Sequence, residues 1–179
     1  MTKKIMNSGE IDLALQRISL QILERNESSE NIAIVGIYTC GVYLARRIHA
    51  AMEHHLGKKI AYGSLDINLY RDDWSLVSQN PVVKTTDLPF DVDNKSIILV
   101  DDVIYTGRTI RAAMDAITDY GRAEVIQLAA LIDRGGRELP IQPDYVGLRV
   151  DVERGQKVNV MVEDNLESAG DGEEVVIEG

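Results

Sequence analysis

Ile97-Ile98-Leu99-Val100-Asp101-Asp102-Val103-Ile104-Tyr105-Thr106-Gly107-Arg108-Thr109 is an apolar, β-branched run that meets two carboxylates and then a short polar turn. Ile97 to Val100 reads as a strand apolar on both faces, the pattern of a strand covered by helices in a parallel sheet. Ile110, Ala113, Met114 and Ile117 recur at helical spacing, which places Thr109 near a helix N-terminus. Ligands of open α/β sheets bind beyond the carboxyl ends of the strands, where Asp101, Asp102 and the turn fall. A helix start offers unpaired N–H groups and the positive end of a dipole, which suit a phosphate. Gly107 permits close backbone approach, and Thr106 and Thr109 add hydroxyls. The turn is therefore predicted to cradle a phosphomonoester. The adjacent carboxylates are placed to take sugar hydroxyls, or a Mg²⁺ that phosphates also bind.

The rest of the chain repeats this plan. Ile32 to Ile37 is a second buried strand, ending in Tyr38-Thr39-Cys40-Gly41 before a helix marked by Leu44, Ala45, Ile48 and Met52. Glu124 to Ile132 is a third, ending in Asp133-Arg134-Gly135-Gly136-Arg137-Glu138-Leu139-Pro140. Ser8 is positioned to cap a first helix carrying Ile11, Leu15, Ile18 and Ile22 on one face and ending near Arg25-Asn26. Ile60 to Leu69 alternates as a strand, and Tyr145–Val150 and Lys157–Val162 read as the last strands. The polar stretch from Tyr70 through Trp74 and Ser78-Gln79-Asn80-Pro81 to Pro89 lacks periodicity, as a lid does; Arg71 is its residue best suited to a diphosphate. Trp74 fits a hinge aromatic or a dimer contact equally well. His49, His54 and His55 have no partner acid or Cys at zinc spacing and read as surface or helix-end residues.

Composition narrows the function classes. The chain of 179 residues suits one domain, and its single cysteine, Cys40, excludes an internal disulfide. No run approaches the roughly 20 apolar residues of a membrane helix, and the N-terminus lacks a signal core, so the expected address is cytoplasmic. The net charge of −10 opposes nucleic acid as a bulk partner. Its distribution softens that: from Glu163 onward there are seven acids and no Lys or Arg, which leaves −3 for residues 1–162. Residues 163–179 read as an acidic, solvated, frayed tail behind a 1–162 domain.

The run from Val100 to Thr109, the stretch Asp66-Ile67-Asn68-Leu69-Tyr70-Arg71-Asp72-Asp73 and the stretch Asp133 to Ile141 together resemble the phosphoribosyltransferase family. Within it they are similar to the uracil phosphoribosyltransferases that, in some bacteria, also bind messenger RNA and regulate pyrimidine genes. The resemblance runs from the first helix to about Val162. It implies the type I phosphoribosyltransferase fold: an α/β protein with a mostly parallel central sheet flanked by helices, a small hood and a flexible lid loop. It implies the reaction of uracil with 5-phosphoribosyl 1-diphosphate to give UMP and diphosphate, with Mg²⁺. By the same resemblance Asp101, Asp102, Arg71 and Arg137 are the catalytic set, with Asp101 and Asp102 on the ribose hydroxyls. Val103, Ile104, Tyr105, Thr106, Gly107, Arg108 and Thr109 complete the ribose 5-phosphate site. Tyr38, Thr39, Cys40 and Gly41 form the diphosphate loop, and Asp133 acts on the metal indirectly, with Asp133 to Arg137 near metal and base. Relatives form dimers or larger assemblies.

Two points tune these expectations. Purine enzymes of the family place an acid where this chain has Tyr105, so purine chemistry would lack its usual base. The family usually carries a pattern close to Lys-Thr-Arg-Gly in the diphosphate loop, whereas Tyr38-Thr39-Cys40-Gly41 lacks both cations. Each lost charge-assisted contact is worth roughly 1.5 to 3 kcal/mol, so either another cation compensates or transfer is slow. The alternative reading is a regulator that senses UMP or UTP in the same crevice and binds leader mRNA through Arg17, Arg25, Arg137 and Arg154, with little catalysis. A phosphoribosyltransferase for another base is a third.

Overall fold

The computed structural model describes residues 1–27, 29–72, 85–162 and 172–179. The chain opens with strand β1 (Thr2–Asn7) and helix α1 (Ser8–Arg25). It continues through β2 (Ile32–Ile37), α2 (Cys40–Leu56), β3 (Ala61–Leu65), β4 (Ser96–Ile104), α3 (Arg108–Thr118), β5 (Val125–Asp133) and β6 (Tyr145–Arg149). It closes with β7 (Lys157–Met161) and β8 (Glu174–Glu178). Trp74 and the segment Ser78–Pro81 lie outside the described residues, as do the acids Glu163, Asp164, Glu167 and Asp171.

Five strands form a parallel sheet in the order β3-β2-β4-β5-β6. Side chains alternate across it. Ile98 and Val100 of β4 face a core built with α1 and α2, through Ile11, Ile18, Leu44 and Ile48. Ile97 and Leu99 face a second core with Ile110, Ala113 and Ile117 of α3. Both faces are covered, which is why the strands read as continuous apolar runs. None of the described helices is long and apolar enough to cross a membrane.

Four expectations need correcting. The cap of α1 is Asn7, not Ser8: the Asn7 side chain accepts the Glu10 N–H at 3.0 Å while Glu10 accepts the Asn7 N–H at 2.8 Å, a reciprocal capping box. The strand expected to reach Leu69 stops at Leu65, and Asn68–Tyr70 is a 3₁₀ turn closed by the bond from Tyr70 N–H to the Ile67 carbonyl. His49 is half-buried and does have an acid partner: its Nε2 lies 2.8 Å from the Ile60 carbonyl and 3.3 Å from Glu53 one turn on, and its ring packs against Tyr62.

The fourth concerns the tail. Residues 174–178 are not frayed but form the middle strand of a second, antiparallel sheet ordered β1-β8-β7. Val175, Val176 and Ile177 are the cause, an apolar triplet buried between Glu174 and Glu178. Glu173 locks this strand to α2: its carboxylate accepts the Tyr43 hydroxyl at 2.5 Å and the Arg47 guanidinium at 2.9 Å. Chain start and chain end thus build one small sheet beside the large one.

Candidate active site

The strand order reverses at β2. The chain passes from β2 to β3 on one side and returns to β4 on the other, so the loops leaving β2 and β4 diverge from neighbouring strands. Such a switch point opens a crevice at the carboxyl edge of the sheet. Contact across it is close: a Cβ on Gly41 would lie 2.5 Å from the Val100 carbonyl oxygen and 3.2 Å from the Asp101 Cα. Only a glycine lets the loop at Tyr38–Gly41 rest on the acid pair. That loop is tied on its other side by the bond from Tyr38 N–H to the Leu65 carbonyl, 3.0 Å, and its Tyr38–Thr39 peptide is cis. Cys40 is the first residue of α2, with Sγ 3.9 Å from the Val160 carbonyl of β7.

β4 does not end at Val100 but carries the acids within its ladder and runs to Ile104, where Ile104 pairs with Asp133 of β5. Asp101 is consequently only 7 % exposed. Burial, reinforced by the neighbouring charge of Asp102, lifts its carboxyl well above the usual carboxylate range. Asp101 Oδ1 accepts the Asp102 N–H at 3.0 Å, and Asp102 Oδ1 accepts the Val103 N–H at 2.8 Å. A hydroxyl donor or a cation would relieve the pair.

Gly107 sits at φ +93° as the cap of α3 and supplies no side chain, so the first N–H groups of the helix open on a hollow of about 140 Å³. Asp101, Val103, Ile104, Tyr105, Thr106, Gly107 and Thr109 line it, which brings together all but Asp102 and Arg108 of the expected ribose-phosphate residues. Arg108 turns outward instead, its guanidinium bound to Glu138 at 2.8 Å and Asp72 at 2.5 Å. An adjoining hollow of about 150 Å³ is lined by Arg71, Asp72, Thr106, Arg108 and Thr109. Arg71 therefore stands beside the turn at Thr106–Thr109.

The third loop is fastened from inside. Arg137 donates to Asp133 Oδ1 at 2.8 Å, to the Tyr105 carbonyl at 2.9 Å and to the Ile141 carbonyl at 2.8 Å. Its guanidinium shapes the loop that expectation placed near metal and base. The Arg134 guanidinium lies over the Tyr105 ring, 4.0 Å from its centroid, and Gly136 packs so near that a Cβ would meet the ring at 2.4 Å. Asp133, Gly135, Arg149, Val150 and Asp151 line a hollow of about 180 Å³ beside it.

The carboxylates around these hollows are hard oxygen donors. Among the described residues no group of three or more His, Cys, Asp or Glu could hold a metal alone. That donor set fits Mg²⁺, which uses one or two carboxylates together with substrate phosphates rather than a protein cage.

The residues expected to meet RNA are largely engaged within the chain. Arg17 donates to the Val146 carbonyl at 3.3 Å and to that of Gly147, Arg25 pairs with Asp144 at 2.7 Å, and Arg137 is held as above. Arg154 is exposed in the turn before β7. Sequence reasoning overlooked Arg134 over Tyr105, the Asp72–Arg108–Glu138 bridge, and Asp66 with Thr86. None carried a clear signal; Asp66 fell at a polar position inside the stretch Ile60 to Leu69 that alternates as a strand.

The comparisons with known proteins follow this geometry. A model of the phosphoribosyl transferase domain matches residues 1–177. A Bifunctional protein PyrR of Thermoanaerobacter pseudethanolicus is 56% identical over 161 residues, covering 90% of this chain and 90% of the relative. The chain belongs to the PyrR group of phosphoribosyltransferases. A second such relative, from Deinococcus radiodurans, is 47% identical over 172 residues, covering 96% of this chain and 91% of its own length. Among solved structures, a hypoxanthine phosphoribosyltransferase from Trypanosoma cruzi in a ternary substrates complex matches with a TM-score of 0.69 at 15% identity, over 87% of this chain and 83% of that one. That likeness concerns the fold, the type I phosphoribosyltransferase fold with its five-stranded parallel sheet.

Proposed function

We propose that this chain transfers the 5-phosphoribosyl group of 5-phosphoribosyl 1-diphosphate to uracil, yielding UMP and diphosphate. The observation that carries the reading is the contact of Gly41 with Val100 and Asp101, which sets the loop Tyr38–Gly41 against the strand that bears the acid pair and leads into the turn Thr106–Thr109. The names of the relatives, at about half identity, support the same reading.

The turn at Thr106–Thr109 and the open start of α3 bind the 5-phosphate, while Asp101 and Asp102 accept hydrogen bonds from the ribose hydroxyls. Bound Mg²⁺ would neutralise the diphosphate and stabilise it as it departs. The carboxylates that would hold it are Asp102 and, through water, Asp133. Backbone N–H groups of Tyr38–Gly41 and the Arg71 guanidinium meet the diphosphate, and Arg71 supplies charge that the loop lacks. As the anomeric carbon gains oxocarbenium character, catalysis comes from holding the base in line and from supporting the leaving group. Arg137 acts by holding Asp133 and the Tyr105 backbone in place. With its ring packed beneath Arg134, Tyr105 gives position 105 no acid for purine chemistry, which favours uracil.

Incubation with uracil or hypoxanthine, 5-phosphoribosyl 1-diphosphate and Mg²⁺ tests this. UMP should form, and IMP should not. An idle wild type whose transfer is restored by Cys40→Arg would trace slow catalysis to the loop, whereas IMP as product would overturn the choice of base.

The relatives' description as bifunctional favours a second role for the same chain, RNA-binding regulation of pyrimidine genes under UMP or UTP control. Filter binding to the leader of its own pyrimidine genes should then weaken steeply with salt. No binding at low salt removes that role. Exposed Leu13 and Leu20 on α1 suit self-association into a homodimer, which sedimentation would read.

A further inference from the structure

Asp66 follows β3 and is only 8 % exposed, and its two carboxylate oxygens differ. Oδ1 accepts the Asn68 N–H at 3.0 Å, the bond at the entry to the turn Asn68–Tyr70. Oδ2 is buried with no hydrogen-bond partner among the described residues. The backbone at 66 is also pinned: its N–H donates to Thr86 Oγ1 at 3.0 Å, and the same hydroxyl lies 3.5 Å from its carbonyl. Two residues before, Ser64 and Asp87 exchange backbone bonds of 2.8 and 2.9 Å. Downstream, Tyr70 donates its hydroxyl to Asp119 just past the end of α3, and Arg71 lines the hollow at the phosphate turn.

A buried carboxylate with one unsatisfied oxygen is unfavourable, and an apolar residue here would avoid the penalty. The group's visible work is local: it fixes where the chain turns out of the sheet, five residues before the arginine at the crevice. We propose that Asp66 is a positioning residue which, through its Oδ1 bond to Asn68, sets the turn that delivers Arg71 to the crevice at the hollow beside Thr106–Thr109, from which it reaches the diphosphate. This rests on the reading of Arg71 given above.

The test is calorimetric binding of inorganic diphosphate with Mg²⁺, which needs no turnover. Asp66→Ala should weaken binding about tenfold or more, the size of one charge-assisted contact. Asp66→Asn, whose amide oxygen still accepts from Asn68, should stay within about threefold of wild type. In an Arg71→Ala background, Asp66→Ala should add nothing, because the effect passes through Arg71. In steady state the KM for 5-phosphoribosyl 1-diphosphate should rise while that for uracil holds. If Asp66→Ala fails to fold, Asp66→Glu, which displaces the acceptor, replaces it and should weaken binding likewise. Folded Asp66→Ala or Asp66→Glu that binds diphosphate like wild type, or effects that multiply in the double variant, overturn the proposal alone. A wild type that binds no diphosphate overturns the site reading and the proposal with it.

Discussion

Gly41 and Val100 touch so closely that one added methyl group would sit 2.5 Å from the Val100 carbonyl oxygen. The contact joins the loop after β2 to the strand bearing the acid pair, so the two halves of the crevice share one backbone seam. Gly41→Ala must push them apart. Overpacking of this kind costs about 1–3 kcal/mol, and a shift of about 1 Å between reacting groups can lower turnover on the order of a hundredfold. The variant should fold, melt a few degrees lower and lose kcat/KM by about that factor. Wild-type kinetics would mean that the seam does not set the site.

Asp101 is destabilising when charged, because burial and Asp102 both raise its pKa above the unfolded value. A group shifted in that direction contributes most below its unfolded pKa, near 3.9 for Asp, and loses that contribution as pH rises through the folded pKa. Asp101→Asn should therefore raise the melting temperature at pH 7, with the gain shrinking toward pH 4, while UMP formation collapses. A melting curve unchanged at pH 7, or lowered there, would contradict this account of the acid pair.

The guanidinium of Arg137 spans Asp133, Tyr105 and Ile141. Removing one partner of a buried ion pair costs roughly 3–5 kcal/mol. At about 2–4 °C per kcal/mol for a chain of this length, Arg137→Ala should melt on the order of 6–20 °C lower. Arg137→Lys should recover less than half of that, since an ammonium cannot reach three acceptors in one plane. Calorimetry of the three proteins decides it.

Much of this site was legible because its signals are local. The run Ile97–Val100, the acid pair and Gly107 each declare strand, charge and turn within a few residues, and the structure keeps them in that order. The tail misled for the converse reason. Val175–Ile177 is too short to stand out among acids, and its partners are β1 and β7, the former more than 160 residues away in sequence. The cap at Asn7 was missed by one position because Ser8 suits the role equally well. The stack of Arg134 on Tyr105 and the Asp72–Arg108–Glu138 bridge depend on loops folding toward each other, which no spacing in the sequence encodes.

Glu173 gives the C-terminal strand its anchor through Tyr43 and Arg47. Deleting residues 172–179 should strip β1 and β7 of their shared partner and lower the melting temperature by more than about 5 °C. Glu173→Ala should do much of the same alone, because it leaves Arg47 without its buried partner. A truncated protein as stable as the full chain would show that the second sheet is dispensable.

The most direct test of the whole account is calorimetric titration of the full chain with 5-phosphoribosyl 1-diphosphate in the presence of Mg²⁺. The account predicts uptake of one molecule per chain, dependent on Mg²⁺ and lost when Asp101 and Asp102 are both replaced by Asn. No heat from the wild-type protein at millimolar ligand, or uptake untouched by the double replacement, would contradict it.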